Sequence, residues 1–299
     1  MTSRASALSV GAVLFVIVLG HVTLFPKIAD LDGFYHVGHA TTYAEGSMFD
    51  TSLPWATMSV IGDRGADMWW GFHIVLTPFT TIADVEWGVR ITALVLTLVL
   101  ATCFLWILGR HGVRGSGWWT VAFLLAVPNV FFRHLMVRPH VLSLTASLLL
   151  LSVLVRGRWK HAFVISALIT WFHLSLFWMA PGIAAAYAIV RAGEWSLGLS
   201  GERSSVAPGP AILAVVLGTS AGWLLRPHPI QAGALASVQI IRLFAQKATE
   251  EPLLFAAELF PLPAMELART SWLFLAAWSM VAIGSVVYAA RGTLNKIPH

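Results

Sequence analysis

The chain has 299 residues, of which 58% are hydrophobic and 11% are charged, and its formal net charge is +5. Soluble domains are about 45–50% apolar and about 25% charged, so this composition excludes a soluble globular enzyme and an intrinsically disordered chain. The 24 glycines follow no regular period, which excludes a collagen-like fibre, and a single cysteine excludes an intramolecular disulfide. The composition therefore predicts an all-α integral membrane protein.

Apolar runs recur along the whole chain, and most approach the roughly 20 residues that cross a bilayer as a helix. In chain order they cover residues 5–25, 89–109, 118–132, 139–155, 161–190, 210–225 and 271–290. The first run is long and uncharged and has no small-residue cleavage site, which favours a span over a signal peptide. The run 161–190 contains Pro181 and Gly182, so it forms either one long helix or two short ones.

The positions of the basic residues decide between seven and eight spans. With eight spans and a cytosolic N-terminus, the cytosolic segments hold ten basic residues and two acidic ones, as the positive-inside rule requires. A seven-span count would place the basic segment 191–203 outside. We therefore divide 161–190 near residues 177–181 and predict one polytopic helical domain over residues 1–299. Both termini would be cytoplasmic and the membrane the cell's inner (plasma) membrane. Lys and Arg flank the spans instead of forming one stripe, so no nucleic-acid partner is expected.

Two long external segments, 26–88 and 226–270, then contain all the acidic residues except Glu194 and Glu202. Near the start of the first segment lie Asp30 and Asp32. If the chain is helical from residue 32, Asp32, His36 and His39 share one face at positions i, i+4 and i+7. A carboxylate beside an imidazole at the membrane boundary can act as a base or bind a cation. The alternative is that these polar residues simply end the helix at the interface.

Further along the same segment, Asp67 and His73 flank a pair of tryptophans, Trp69 and Trp70. Aromatic residues in this number are typical of a helix that lies in the membrane interface. Asp67 and His73 could face Asp32 across the segment. The alternative is a plain amphipathic anchor.

A third polar stretch follows the predicted third span and contains Arg133, Arg138 and His140. It lies on the outer side, against the charge rule, and Arg is well suited to phosphate because its planar fork donates two hydrogen bonds. These residues either bind a lipid phosphate or extend to the interface as ordinary surface side chains. Arg226 opens the second external segment, which could cover a cavity or merely connect two spans.

The sequence Gly218-Thr219-Ser220-Ala221-Gly222 matches the G-x-S-x-G motif of serine hydrolases. That motif needs a strand–turn–helix, whereas here it lies inside an apolar span. Gly218 and Gly222 are therefore interpreted as a small-residue face on which a neighbouring helix packs.

The segment Asp32-Gly33-Phe34-Tyr35-His36, directly after a first span, resembles the Asp-x-Tyr-Tyr-His segment of GT-C membrane glycosyltransferases. The stretch from Asp67 to Phe79 looks like the end of the same first loop in bacterial members. Arg138-Pro139-His140 is similar to the Arg-Pro that opens the fourth span in many of them. The likeness covers roughly residues 1–190 in layout.

The resemblance implies a GT-C-like bundle that transfers a sugar from a polyprenyl-phosphate donor to an acceptor on the outer face of the membrane. Asp32 would be the catalytic base, and basic residues, with Arg138 first and Arg133 second, would hold the phosphate leaving group. Expected partners are the polyprenyl-linked sugar, membrane lipid and proteins of envelope biosynthesis. The complete set of expected catalytic residues is Asp32, Asp30 and His36, and the set for substrate and lipid phosphate is Arg138, Arg133, His140, His73, Asp67 and Arg226.

The chain departs from that family in two ways. The stretch 132–140 has no carboxylate, so the second acidic motif of oligosaccharyltransferases is missing, which argues against a divalent cation; no cofactor is assigned. Most relatives are also longer. Two other classes stay open: a transporter or channel, and a non-catalytic subunit of an envelope assembly complex. The first is disfavoured because its ionisable residues would lie at mid-membrane, often in repeated halves.

Overall fold

The structure is a computed structural model, and it describes residues 4–20, 31–51, 65–125, 128–196, 208–242, 245 and 263–290. The described part of the chain is all-helical and contains no β-strand. The predicted all-α class is therefore confirmed. Of the predicted site residues, Asp30 lies outside the described ranges, as does most of the second external segment beyond residue 242.

Twelve α-helices are described, and short 3₁₀ or π-helical turns connect or extend some of them. In chain order the α-helices are α1 (Arg4–Leu19), α2 (Leu31–Glu45), α3 (Trp70–Leu76), α4 (Val85–Arg110), α5 (Ser116–Leu125), α6 (Pro128–His134), α7 (Pro139–Val155), α8 (Trp159–Phe172), α9 (Met179–Ser196), α10 (Pro208–Leu224), α11 (Pro229–Ser237) and α12 (Ala264–Ala290). The 3₁₀ turns are Thr77–Thr81 and Leu174–Leu176, and the π-helical turn is Val238–Arg242.

Three stretches in the described ranges are long and apolar enough to cross a membrane: Val85–Arg110, Leu174–Ser196 and Ala264–Gly284. A fourth is obtained if α10 and α11, which are bent by 109° at a short break, are counted together as one span. Two shorter helices, α5 and α7, are also apolar. These features are compatible with membrane insertion, whereas the eight predicted spans are more than helix length and composition alone support.

The surface of the long helices explains how such a chain could exist in a bilayer. In the most apolar 18-residue stretch of Ala264–Gly284, no residue is buried inside the protein. Large apolar side chains such as Trp272 and Met280 are exposed on this helix, and Trp195 is exposed on α9. Lipid is the environment in which such surface is stable, because water would penalise each exposed apolar side chain.

The predicted division of the run 161–190 is observed, a few residues earlier than expected. Helix α8 ends at Phe172 and α9 begins at Met179. Between them the chain forms the short 3₁₀ turn Leu174–Leu176. Pro181 lies in the first turn of α9, where proline is tolerated because the first N–H groups of a helix have no intrahelical partner.

The glycines of the rejected hydrolase motif pack as a small-residue face. A Cβ atom at Gly218 would collide with the carbonyl oxygen of Phe163, and one at Gly222 with that of Ala167. Ser220 lies within the helix and donates to the carbonyl oxygen of Val216, one turn earlier. The backbones of α8 and α10 are therefore in direct contact, as the glycine spacing predicted.

The described part of the first external segment packs against α11 of the second, where Met68, Ala232 and Leu235 share a buried apolar cluster. It also packs against α4 and the turn before α7. Val37 of α2, Phe72 of α3, Val89 of α4 and Val137 before α7 belong to one buried apolar cluster. At the opposite ends of α4 and α7, Nε2 of His111 lies 2.9 Å from Oγ of Ser152. Helices α2 and α3 and the turn before α7 therefore lie at one end of α4 and α7, and His111 and Ser152 lie at the other.

Candidate functional site

Helix α2 carries the polar face that the spacing predicted. It runs from Leu31 to Glu45, with Asp32 in its first turn, where a carboxylate interacts favourably with the helix dipole. His36 and His39 are buried, whereas Asp32 lies exposed at the end of the helix. Gly33 lets α2 lie close against α4, because a Cβ atom at Gly33 would lie 2.7 Å from Cγ1 of Val89. The face therefore passes from an exposed carboxylate to buried imidazoles within two turns.

Asp32 and Arg138 form an ion pair at the exposed end of this face. Oδ2 of Asp32 lies 2.7 Å from Nη2 of Arg138, and the two side chains are 51% and 19% exposed. Arg138 is in extended conformation immediately before α7, whose first residue is Pro139. A residue before proline prefers this conformation, so the sequence itself directs Arg138 away from the helix axis. The two residues first chosen as base and phosphate ligand are in direct contact.

Asp67 is the centre of a second, buried group. Its Oδ1 accepts from the backbone N–H of Trp69 at 2.8 Å, and its Oδ2 accepts from the hydroxyl of Tyr43 at 3.0 Å. Nδ1 of His73 lies 2.6 Å from the same Oδ2. Burial alone would raise the pKa of Asp67, but His73, His39 and the Trp69 N–H hold it well below its ordinary value. The carboxylate is therefore ionised and fully engaged.

The imidazoles around Asp67 form a chain. Nδ1 of His36 and Nε2 of His73 are 2.8 Å apart, so the ring of His73 connects His36 to the Asp67 carboxylate. The ring of His39 stacks on that of His73, with centroids 4.2 Å apart. Burial lowers the pKa of His36 well below its ordinary value and that of His39 to about 4. Both rings are therefore neutral at pH 7.

Tyr43 completes this group and was missed in the sequence. Burial and the adjacent Asp67 raise the pKa of its hydroxyl, which therefore stays protonated and donates to the carboxylate. Tyr43 lies four residues after His39, so continuing the helical spacing by one more turn would have found it. His134, which the sequence placed in the third polar stretch with Arg133 and Arg138, has a buried ring that stacks on Phe123. Within the described ranges this ring has no hydrogen-bond partner.

Arg226 lies beside Asp67 but does not face an open site. Its side chain is buried, and its Nη1 donates to the carbonyl oxygens of Asp67 and Met68 at 3.3 and 3.4 Å. Its Nη2 donates to those of Thr170 and Trp171 at 3.0 and 2.9 Å. These contacts cover the last carbonyls of α8 and hold the segment before α3. This geometry favours a structural role for Arg226 over the expected contact with lipid phosphate.

Arg133 and His140 flank Arg138 in the chain. Nε2 of His140 donates to the carbonyl oxygen of Arg133 at 3.1 Å, which links the end of α6 to the first turn of α7. The Arg133 side chain is exposed and His140 is half-buried. Both lie close enough in sequence to Arg138 to meet a ligand at the same turn.

His39, Asp67 and His73 are the described residues whose ligand atoms are grouped closely enough to hold a metal ion. One ligand atom from each lies within 4.8 Å of the others, and all three side chains are buried. This set of two histidines and one aspartate is different from the second acidic motif of oligosaccharyltransferases, whose absence from 132–140 argued against a divalent cation. Two centres are therefore present at one end of the bundle, an exposed Asp32–Arg138 pair and a buried His–Asp group.

Comparison with protein-family models, with curated proteins and with solved structures finds no match to this chain.

Proposed function

We propose that the protein is a membrane glycosyltransferase that moves a sugar from a polyprenyl-phosphate donor to an acceptor hydroxyl at the outer face of the membrane. The observation that carries the proposal is the contact between Asp32 and Arg138, 2.7 Å apart at an exposed position. A carboxylate suited to act as a base thus lies beside a guanidinium suited to hold a phosphate. The motif resemblance described above had selected both residues.

The exposure of the pair is what a large, lipid-linked substrate requires. Asp32 is half-exposed and Arg138 partly so, and therefore a phosphate can reach the guanidinium from outside. The donor phosphate competes with Asp32 for Arg138, because both are anionic oxygen acceptors for the same N–H groups. Binding of the donor then releases the Asp32 carboxylate next to the anomeric carbon. The ion pair is, in this view, the resting state of the site.

The chemical step balances with these two side chains. The Asp32 carboxylate takes the proton of the acceptor hydroxyl, and the oxygen of that hydroxyl forms a bond to the anomeric carbon. The bond between that carbon and the phosphate oxygen breaks, and the polyprenyl phosphate leaves with the bonding electrons. Arg138 stabilises the charge that develops on the leaving phosphate. Arg133 and His140, in the same turn, are positioned to bind the other phosphate oxygens.

The proposal includes an eight-span GT-C-like arrangement in the plasma membrane, with both termini cytoplasmic. The packing of α2, α3 and the turn before α7 at one end of α4 is consistent with this topology. The three or four helices long enough to span a bilayer support membrane insertion only, so the eight spans rest on the charge pattern of the sequence. Partners would be the polyprenyl-linked sugar, the surrounding lipid and other envelope-assembly proteins. Cysteine accessibility from each side of spheroplasts tests the sidedness directly, with one cysteine introduced at 112 or at 140 of a Cys103→Ser chain.

Sugar transfer is tested in proteoliposomes that contain the purified full chain. Polyprenyl-phosphate [¹⁴C]mannose and [¹⁴C]arabinose are supplied as donors with alkyl glycosides as acceptors, and release of polyprenyl phosphate is measured together with labelled product. Asp32→Asn should lower kcat by about 10²–10⁴-fold, the usual contribution of a positioned base. Arg138→Gln should raise KM for the donor by about tenfold or more, because it loses a charge-assisted hydrogen bond.

Glu86→Gln is the matched control, since Glu86 pairs with Arg90 on α4 at the same end of the bundle and is not part of the site. It should leave both kinetic constants unchanged. Full activity of Asp32→Asn would disprove the base assignment, and no transfer or donor cleavage by the wild-type chain with either donor would count against the proposed activity.

A further inference from the structure

The buried group around Asp67 has the composition and spacing of a metal site. Nε2 of His39 lies 3.6 Å and Nδ1 of His73 lies 2.6 Å from Oδ2 of Asp67. In a tetrahedral site with bonds of about 2.1 Å, neighbouring ligand atoms are about 3.4 Å apart, so the observed distances bracket the required one. The three ligand atoms all lie within 4.8 Å of one another.

We propose that His39, Asp67 and His73 bind a structural Zn²⁺ ion, which fixes α2 to the segment 65–76. Two imidazoles and one carboxylate are ligands that Zn²⁺ takes in proteins. Mg²⁺ and Ca²⁺ prefer oxygen ligands, and two imidazoles among three ligands therefore disfavour them. The proposal does not rest on the proposed sugar transfer, since none of the three residues takes part in the Asp32–Arg138 chemistry.

The residues around the three ligands orient them through hydrogen bonds, as residues that contact metal ligands commonly do. When Nδ1 of His73 binds the ion, its Nε2–H faces Nδ1 of His36 at 2.8 Å and can donate to it. Oδ1 of Asp67 accepts from the Trp69 N–H at 2.8 Å, so Oδ2 would be the metal ligand, and the ion would replace its present hydrogen bond to His73. The Tyr43 hydroxyl, 3.0 Å from that Oδ2, borders the remaining tetrahedral position.

Burial points to a structural ion. The side chains of His39, Asp67 and His73 are 0%, 1% and 0% exposed, so neither bulk water nor a lipid-linked substrate reaches them. The ion would join α2 to a part of the chain more than twenty residues later. Because Asp32 lies one helical turn before His36, the same bond would hold Asp32 in register with Arg138.

The test begins with the wild-type full chain, purified in detergent without a polyhistidine tag. Elemental analysis should find one zinc per chain. X-ray absorption at the zinc edge should show nitrogen and oxygen ligands with the outer-shell scattering of two imidazoles and no sulfur. Removal of zinc with a chelator should lower the thermal midpoint, and Zn²⁺ or Co²⁺ should restore it. These measurements need no variant, so a misfolded mutant cannot obscure the answer.

Variants then assign the ligands. His39→Ala and His73→Ala should lose the zinc, whereas His161→Ala, an exposed histidine at the start of α8, should keep it. His36→Ala should retain a site with affinity lower by about 10–100-fold, the usual effect of losing an outer hydrogen-bond partner. Wild-type protein without stoichiometric zinc, or whose thermal midpoint is unaffected by chelator, would overturn the proposal in favour of a metal-free hydrogen-bond network. So would a spectrum with fewer than two imidazoles.

Discussion

Arg226 and Asp67 lie 159 positions apart in the sequence, yet Nη1 of the arginine donates to the carbonyl oxygen of the aspartate at 3.3 Å. The same guanidinium also reaches two carbonyl oxygens at the end of α8 through Nη2. One side chain thus connects the end of α10, the end of α8 and the segment that carries Asp67. The position of the buried His–Asp group depends on this connection.

We expect Arg226→Met to destabilise the protein. The substitution leaves carbonyl oxygens buried without their charged donor, and we expect a loss of at least about 3 kcal/mol because each such bond contributes about 1.5–3 kcal/mol. Arg191→Met is the control, since Arg191 pairs with Glu194 three residues away in a partly exposed position. A pair of that kind contributes about 1 kcal/mol or less. Thermal or denaturant unfolding in detergent measures both, and equal losses would contradict the assigned role.

The contact between α8 and α10 predicts a second effect. In Gly222→Ala the new methyl group would overlap the carbonyl oxygen of Ala167, so the helices must separate. Such overpacking costs about 1–3 kcal/mol. Gly209→Ala, on the same helix, meets nothing within 4 Å and should leave the unfolding midpoint nearly unchanged. If both variants unfold like the wild type, the close backbone contact is not present in the membrane protein.

A charge swap distinguishes the contribution of the Asp32–Arg138 pair to stability from its contribution to sugar transfer. Because Asp32 is half-exposed, the pair should contribute no more than about 1 kcal/mol to stability. The double variant Asp32→Arg/Arg138→Asp should therefore recover any stability that the single variants lose. Sugar transfer should stay lost, since base and phosphate ligand have exchanged places. Recovery of transfer in the double variant would mean that only the ion pair, and not the position of each charge, matters.

His134 makes stability depend on pH. Burial, and to a lesser extent the neighbouring His140, lowers the pKa of His134 to about 4, against about 6.5 in the unfolded chain. Between these values the unfolded state binds more protons, so the folded state loses stability as the pH falls from about 6.5 to about 4. The loss reaches about 3 kcal/mol at pH 4. Unfolding free energy measured against pH should fall less steeply in His134→Gln than in the wild type, whereas His161→Gln should match the wild type. Buried His36 and His39 contribute a loss of the same sign in all three proteins. Identical slopes for wild type and His134→Gln would contradict this assignment.

Several features of the site could be anticipated because they depend on short-range periodicity. Asp32, His36 and His39 share a face of α2 because 3.6 residues make a helical turn, and this spacing is visible in the sequence. The extended conformation of Arg138 follows from the proline after it. Asp67 and His73 were candidates because polar side chains are few in so apolar a chain. The metal-ligand geometry that they form with His39 was not anticipated, because it joins parts of the chain that no periodicity relates.

The sequence by itself predicted a membrane environment, and the exposed apolar helices are compatible with it, since a chain with 58% hydrophobic residues cannot bury all of them. It also determined the division between α8 and α9 and the glycine contact of α10. Helix-breaking residues and glycines exert these effects on their own stretch of helix, so the sequence shows them directly. Only the tertiary structure decided which polar groups are used by the fold and which remain accessible. Arg226 and Arg138 are equally basic in sequence, yet one is buried against carbonyl oxygens and the other lies at an exposed carboxylate. Burial depends on which helices pack together, and that is a property of the whole chain.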